Sequence, residues 1–458
     1  MGFGEWKFAF SAYLLARVAL SAWAFVIALL FPIVLQNLGL FGAPVLAVFD
    51  LAPGERYAYS REMDGAALTF RAGDPGFVSD TQTESVWSLH EGRAVSGKFA
   101  GRALSASAYP VEEIFPYRGV AAETKLLLSV WQRFDTNWYL KIAQHGYAGD
   151  DGSTVYFPLY PLLIRIVSTV VGNAMLAALL LSNLLLIGAL VLLYRLSDAL
   201  FGAVSARRAV AYWLLFPTAF FMLAAYTESL FPFLTLAAFH CVRRDKWMLA
   251  GLFGGLAALT RLQGALLVIP FAWMLYQQVR VQNSKFETPV TQHATRNTQH
   301  VLRFAMVLLI PVVTFAFLTF TNLSLLSNYV RELHARFVFP WDNFIASIAL
   351  LASGRASFVD VLNLLTAIGF GAMMVAVWRG LPREYGLYAL AMYCAPLFRM
   401  TTTQPLVSLD RYALAIFPVF MLLGARGKNA WVNRAVVYLS FPLQLFLSAQ
   451  FVLWGWVG

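Results

Sequence analysis

Apolar runs long enough to cross a bilayer recur from one end of the chain to the other, and no other feature restricts the fold so tightly. A hydrocarbon core of about 30 Å needs roughly 20 apolar residues of helix. Runs approaching that length lie near 8–36, 174–194, 208–225, 229–242, 248–260, 264–279, 303–322, 359–378, 386–398, 411–424 and 433–455. Composition agrees: 59% of the 458 residues are hydrophobic and 13% charged, against about 25% charged in soluble proteins. The sequence predicts an all-α polytopic membrane protein with about 11 transmembrane helices. Several runs fall short of an ideal span, so some helices are expected to be broken.

The first run follows Lys7, is too long for a signal-peptide core and precedes no small-residue cleavage site, which predicts a retained span. Cys241 and Cys394 form neither a metal-ligand spacing nor a disulfide framework. The net charge of +10 is dispersed between apolar runs, which fits membrane topology better than nucleic-acid binding. With the N-terminus inside, five inner loops collect the dense Lys/Arg clusters, among them "RRDK", "WRGLPRE" and "ARGKNAWVNR".

The same parity places residues from about 38 to 172 outside. The expected organisation is a first helix over 1–38, an extracytoplasmic insertion over 39–118, outer-loop helices over 119–172, and a multi-span core over 173–458 with a polar cytoplasmic loop near 280–302. Stretches such as "ALTFRAG" and "SVWSLHEG" in the insertion read as short β-strands joined by turns. The segment 155–172 reads as re-entrant or surface-lying, because a full span there would move the basic loops outside.

Within the large outer loop, "WQRFDTNWYLKIAQHGY" (131–147) reads as one amphipathic helix. At roughly 100° per residue, Leu127, Trp131, Phe134, Trp138 and Ile142 share a stripe, with Asp135 at its edge. That pattern suits a helix at a membrane surface, its acid at the lipid–water boundary. Four polar constellations fall on the outer side. The first joins Asp135, Lys141, His145 and Tyr147 with Asp150 and Asp151. The second is Tyr226, Thr227 and Glu228; the third, Arg261 and Gln263; the fourth, Arg399, Asp410, Arg411 and Tyr412. Arg399 and Asp410 are expected to be snorkelling anchors. Arg261 and Glu228 demand a partner or an aqueous cavity, because charges between close apolar runs are costly.

A carboxylate and several arginines facing an outer cavity suit displacement of a phosphate from a sugar. The incoming hydroxyl needs a base, and the departing phosphate needs cations, for which arginine's planar fork is better shaped than lysine's point charge. A lipid-linked donor would enter from the bilayer. A transporter or lipid flippase would instead show pseudo-symmetric halves, and the chain carries no internal repeat.

These residues resemble the GPI mannosyltransferase II, or PIG-V, family of GT-C glycosyltransferases. The resemblance rests on Phe134-Asp135, Tyr139, Ile142-Ala143, Gly146-Tyr147 and Phe157-Pro158-Leu159-Tyr160-Pro161, then "FPTAFFMLAAYTESLF", "RLQG" and "SLDRYALAIFP", in order over about 130–420. It implies a GT-C fold, a polyprenyl- or dolichyl-phosphate mannose donor, and inverting single displacement with neither nucleotide sugar nor obligatory metal. The acceptor would be a glycolipid, glycan or protein. Asp135 is the expected catalytic base, and Arg261 and Arg411 the expected donor-phosphate ligands. Tyr139, Lys141, His145, Tyr147, Tyr160, Tyr226, Glu228, Gln263 and Tyr412 are expected to contact substrate. Phe134 stands where the family usually has Trp, Gln263 replaces Asn, and the insertion at 40–118 is foreign to the family core.

Overall fold

The computed structural model describes residues 3–40, 43–51, 54–148, 151–284, 290–321, 327, 330, 335–401 and 404–457. Asp150 and residues 285–289 of the expected cytoplasmic loop lie outside the described residues. The chain divides into two compact units, one made of Met1–Arg17, Ile142–Leu447 and Val457–Gly458, the other of Val18–Lys141 and Ser448–Trp456.

Helix α1 runs over Phe3–Leu30, shorter than the apolar run that encodes it. Pro32 is the reason: it has no N–H to donate and pushes the preceding residue out of the helical region. The run continues as strand β1, Ile33–Leu40, so the expected span to residue 36 ends six residues early. An antiparallel sheet follows, with β1 pairing β2 (Ala43–Asp50), which pairs β3 (Arg56–Ser60). Five successive residues of β2, Ala47 among them, are buried. A strand covered on both faces reads as a continuous apolar run, not an alternating one.

The rest of the insertion holds a small hairpin, β4 (Glu62–Met63) with β5 (Ala66–Ala67), and a four-stranded meander. The meander comprises β6 (Phe70–Ala72), β7 (Phe77–Asp80), β8 (Val86–Ser88) and β9 (Arg93–Ser96). Trp87 centres its core against Phe70 and Phe99, and the indole N–H donates to the buried Asp80 carboxylate at 3.1 Å. Short strands were expected here, and the structure has them. Two single turns, α2 (Val111–Ile114) and α3 (Leu126–Ser129), lead to α4, Asp135–His145.

In the other unit α5 (Leu159–Val171), α6 (Ala174–Phe201), α7 (Ala203–Leu214), α8 (Leu230–Val242), α9 (Trp247–Ala258), α10 (Val268–Ser284) and α11 (Val290–Phe320) follow in order. Pro340–Ala352, Phe358–Gly380, Arg383–Leu397, Phe417–Arg426 and Ala430–Val452 complete the long helical elements among the described residues. Six described helices are long and apolar enough to cross a membrane: Gly4–Leu30, Ala174–Phe201, Leu262–Val281, Gln299–Phe320, Phe358–Gly380 and Ala430–Val452. The other expected spans are shorter or broken. The run at 208–225 stops as α-helix at Leu214 and resumes as a 3₁₀ turn, Ala219–Met222, with Pro217 between them. At 13 residues, α5 reaches only about 20 Å, too little to cross the hydrocarbon.

Close helix approach is encoded by small residues. A Cβ added at Gly251 or Gly254 of α9 would strike Met306 or Ile310 of α11. The first turns of α1 are tied to α6 by a bidentate Glu5–Arg195 ion pair and by Tyr13, whose hydroxyl donates to Asn183.

Candidate active site

Three of the four polar constellations converge on one carboxylate. Glu228 lies in the irregular segment between the 3₁₀ turn Ala219–Met222 and α8, its side chain 1% exposed. It pairs with Arg261, and its Oε1 stands 2.7 Å from Arg411 Nε. The second contact is ionic without hydrogen-bond alignment. Arg261 Nε also donates to Thr227 Oγ1 at 2.8 Å. Rings surround the cations: Arg411 lies 5.4 Å from the centroids of both Phe221 and Tyr226, and Arg261 lies 5.7 Å from that of Tyr412. Two guanidinium groups and one carboxylate leave these three ions with a net charge of +1. A buried ion is tolerated only when paired, so the shared carboxylate is what allows two arginines to sit together among apolar runs.

Local backbone sets each member. Arg261 is extended at the end of α9 and precedes the 3₁₀ turn Leu262–Leu267. In that turn a Cβ on Gly264 would collide with the Ala257 carbonyl oxygen, which gives the glycine of "RLQG" its reason. Arg411 belongs to the single turn Leu409–Tyr412, entered through Leu406 and Ser408, both in the left-handed region at φ 53° and 63°. Non-glycine residues held there store strain that surrounding contacts must offset. Those contacts exist: the buried Asn343 amide accepts from Leu406 N and donates to the Leu397 and Arg399 carbonyls.

Asp410, expected to snorkel, is instead 1% exposed. Its Oδ1 accepts from Arg411 N at 2.7 Å, and its own N–H donates to Asn363. Among the described residues its Oδ2 has no hydrogen-bond partner. Burial pushes the carboxyl up to about 6, against the opposing pull of Arg411. Arg399, the other expected anchor, stands 5.7 Å from the Tyr412 centroid, the ring that Arg261 also faces.

Other expected substrate contacts are more deeply committed. Tyr160 is fully buried, its hydroxyl donating to the Ala178 carbonyl and sharing a 2.7 Å hydrogen bond with Ser182. Ser182 in turn donates to the Tyr226 carbonyl, so Tyr160 ties α5 to the segment carrying Glu228. Tyr147 donates to the Tyr156 carbonyl and packs on Phe317. Gln263 is half-buried in the 3₁₀ turn, and His145 is exposed at the end of α4.

In the other unit the stretch around Asp135 departs from the continuous amphipathic helix. Helix α4 begins only at Asp135, because Phe134 takes a left-handed conformation at φ 46°. The break dissolves the expected stripe. Trp131, Trp138 and Ile142 are buried within the protein while Leu127 is 63% exposed, so these residues form packing rather than a lipid-facing edge. Tyr139 is buried and Lys141 sits 5.1 Å from the Trp138 centroid. Half-buried Asp135 is the first residue of α4, where the helix dipole favours a negative charge.

What fixes that first residue escaped the sequence reading. Arg133 is fully buried. It donates to the Val452 carbonyl at 3.0 Å and to those of Ser129 and Gln132 at 2.6 and 3.0 Å. Its guanidinium lies 5.0 and 5.3 Å from the centroids of Trp454 and Phe49. Phe134 packs against Phe451, Trp454 and Trp456. Buried Gln132 donates to Asn137 Oδ1 and the Ala121 carbonyl and accepts from Glu123 N. The signal was an arginine and a glutamine next to Asp135 in a run otherwise read for its aromatic stripe.

A family model described as dolichyl-phosphate-mannose-protein mannosyltransferase matches residues 155–315. The match supports a GT-C-type membrane mannosyltransferase. It takes in Tyr160, Tyr226, Glu228, Arg261 and Gln263, and stops short of both Asp135 and Arg411. No curated protein and no solved structure matches the chain.

Proposed function

We propose that the protein transfers mannose from a polyprenyl- or dolichyl-phosphate donor to an acceptor hydroxyl on the extracytoplasmic side, by inverting single displacement. Asp135 takes the proton of the acceptor hydroxyl as its oxygen bonds to the sugar's anomeric carbon. The bond from that carbon to the phosphate oxygen breaks, and the lipid phosphate departs. The observation that carries the reading is the buried Arg261–Glu228–Arg411 cluster. Its net charge of +1 complements the single negative charge of a phosphodiester. As the phosphate leaves, negative charge accumulates on it, so fixed cations stabilise the transition state more than the ground state. Glu228 keeps the two guanidinium groups together in advance, which is the preorganisation such a site needs. The order of motifs resembles that of the PIG-V family, and the family-model match supports the coarser class. The acceptor is a glycolipid, glycan or protein.

The test supplies purified protein with polyprenyl-phosphate mannose and candidate acceptors, and identifies the mannosylated product by mass spectrometry. Asp135→Asn keeps size and removes basicity, so turnover should fall about 10²–10⁴-fold with donor binding retained. A variant within a few-fold of the parent would remove Asp135 from the chemistry. Sidedness has its own test, since Lys98 and Lys428 are both exposed. In intact cells Lys98→Cys should react with an impermeant maleimide and Lys428→Cys should not.

A further inference from the structure

The carboxylate that gathers the two arginines precedes α8, and a second charged constellation sits at the other end of the same helix. Thirteen residues of α8 separate the two by about 20 Å of apolar helix. At this far end a cavity of about 580 Å³ is lined by Glu5, Arg195, Asp198, His240, Arg243 and Arg244. Nothing in the proposed transfer reaction uses it.

Arginines just past a helix would ordinarily be read as cations completing its C-terminus, and Arg243 and Arg244 do follow α8, whereas Arg195 lies within α6, six residues before its last. Their partners say more. Arg195 is held by Glu5 through two hydrogen bonds of 2.9 and 3.1 Å. Arg243 donates at 3.1 Å to the hydroxyl of Tyr385, a fully buried neutral group, and forms no ion pair among the described residues, although the carboxylates of Glu5 and Asp198 line the same cavity. Arg244 is exposed and forms no ion pair among the described residues. Two guanidinium planes are thus fixed and a third is available, around a concavity of a size that holds small ligands. Guanidinium forks match phosphate oxygens in pairs, and basic pockets between membrane helices take anionic lipid headgroups.

We propose that this cavity is a binding site for a phosphate-bearing ligand, distinct from the donor site, with Arg243 and Arg244 as its principal contacts. The phosphate belongs either to the headgroup of an anionic phospholipid or to a soluble phosphate compound. The test uses the full chain purified in detergent, with native mass spectrometry and thermal stability read against added phosphatidylglycerol, phosphatidylcholine or inorganic phosphate. Phosphatidylglycerol retained through purification, and raising Tm where phosphatidylcholine does not, identifies the lipid headgroup. Inorganic phosphate raising Tm equally identifies the soluble source. In either case Arg243→Ala/Arg244→Ala should weaken binding by about ten- to a hundred-fold. Arg244→Glu, a reversal at an exposed side chain that does not endanger folding, should weaken it at least ten-fold. Equal effects of phosphatidylglycerol and phosphatidylcholine with none from phosphate, or full affinity in Arg244→Glu and the double variant, would overturn the assignment.

Discussion

The two units bury arginine in opposite ways. Arg133 donates to three backbone carbonyls and faces two aromatic rings. Arg261 and Arg411 share one carboxylate. Carbonyl acceptors use up a guanidinium's fork and bind together the chain segments that supply them, so Arg133 joins the turn before Asp135 to Val452. A shared carboxylate does something else. It holds two cations side by side against their mutual repulsion. The first arrangement fixes a shape; the second fixes two charges next to each other.

The largest effect expected from breaking this contrast is at Glu228. Glu228→Gln removes the carboxylate that the two buried guanidinium groups share, and removing one member of a buried ion pair costs about 3–5 kcal/mol. Thermal or denaturant unfolding in detergent reads that loss. Glu228→Gln combined with Arg411→Met restores charge balance and should recover a large part of it. Additive losses would show that the cluster is not energetically coupled, and the shared-carboxylate argument would fail.

Arg133 comes next. Arg133→Met removes the donor to the Gln132 and Val452 carbonyls, at roughly 1–3 kcal/mol per buried group left unsatisfied, while the Ser129 carbonyl keeps the Gln132 N–H. Because Arg133 acts through the backbone around Phe134 and Asp135, kcat should drop while the KM for donor stays within a few-fold. A rise in KM with kcat unchanged would place Arg133 among the ligand contacts instead. Hydrogen exchange over 129–145 should quicken in the same variant.

At the ionic cluster the split should invert. Arg261→Lys and Arg411→Lys keep the charge and lose the fork, and a charged hydrogen bond is worth about 1.5–3 kcal/mol. Donor affinity should therefore fall about ten-fold for each lysine and up to about a hundred-fold for alanine. Donor affinity unchanged in Arg261→Ala would leave the net positive charge without a ligand role.

How far the sequence revealed this contrast depends on the range of the interactions. The apolar runs, the β character of the insertion and the candidacy of Glu228, Arg261 and Arg411 were legible, because each rests on local pattern or on the cost of a charge among apolar residues. The pairing itself was not. Residues 228, 261 and 411 come from distant loops, and no periodicity reports that two arginines share one carboxylate. The aromatic stripe through Trp131, Phe134 and Trp138 misled for a related reason. Helical periodicity assumes continuous backbone, and the left-handed Phe134 interrupts it through contacts with residues 451–456 that lie some 320 positions away. The α1 boundary differs in kind: Pro32 was visible, and the apolar residues that open β1 just after it masked it.

The smallest expected effect distinguishes Asp410 from the cluster beside it in sequence. Its folded-state carboxyl titrates at about 6, above the ordinary 3.8, so folding favours the protonated form. Stability from this group is fully present below about pH 3.8 and is lost as pH rises through about 6. The shift of roughly two units limits the contribution to about 3 kcal/mol, in practice a few degrees of Tm. Asp410→Asn should be the more stable protein at pH 7.5, and the two should converge by pH 4. The substitution preserves an acceptor for Arg411 N and removes the buried charge. Were the parent more stable at pH 7.5, the ionised carboxylate would be doing favourable electrostatic work. The attraction of Arg411 for the Asp410 carboxylate would then outweigh its burial, and Asp410 would count with Glu228 among the anions that hold the arginines in place.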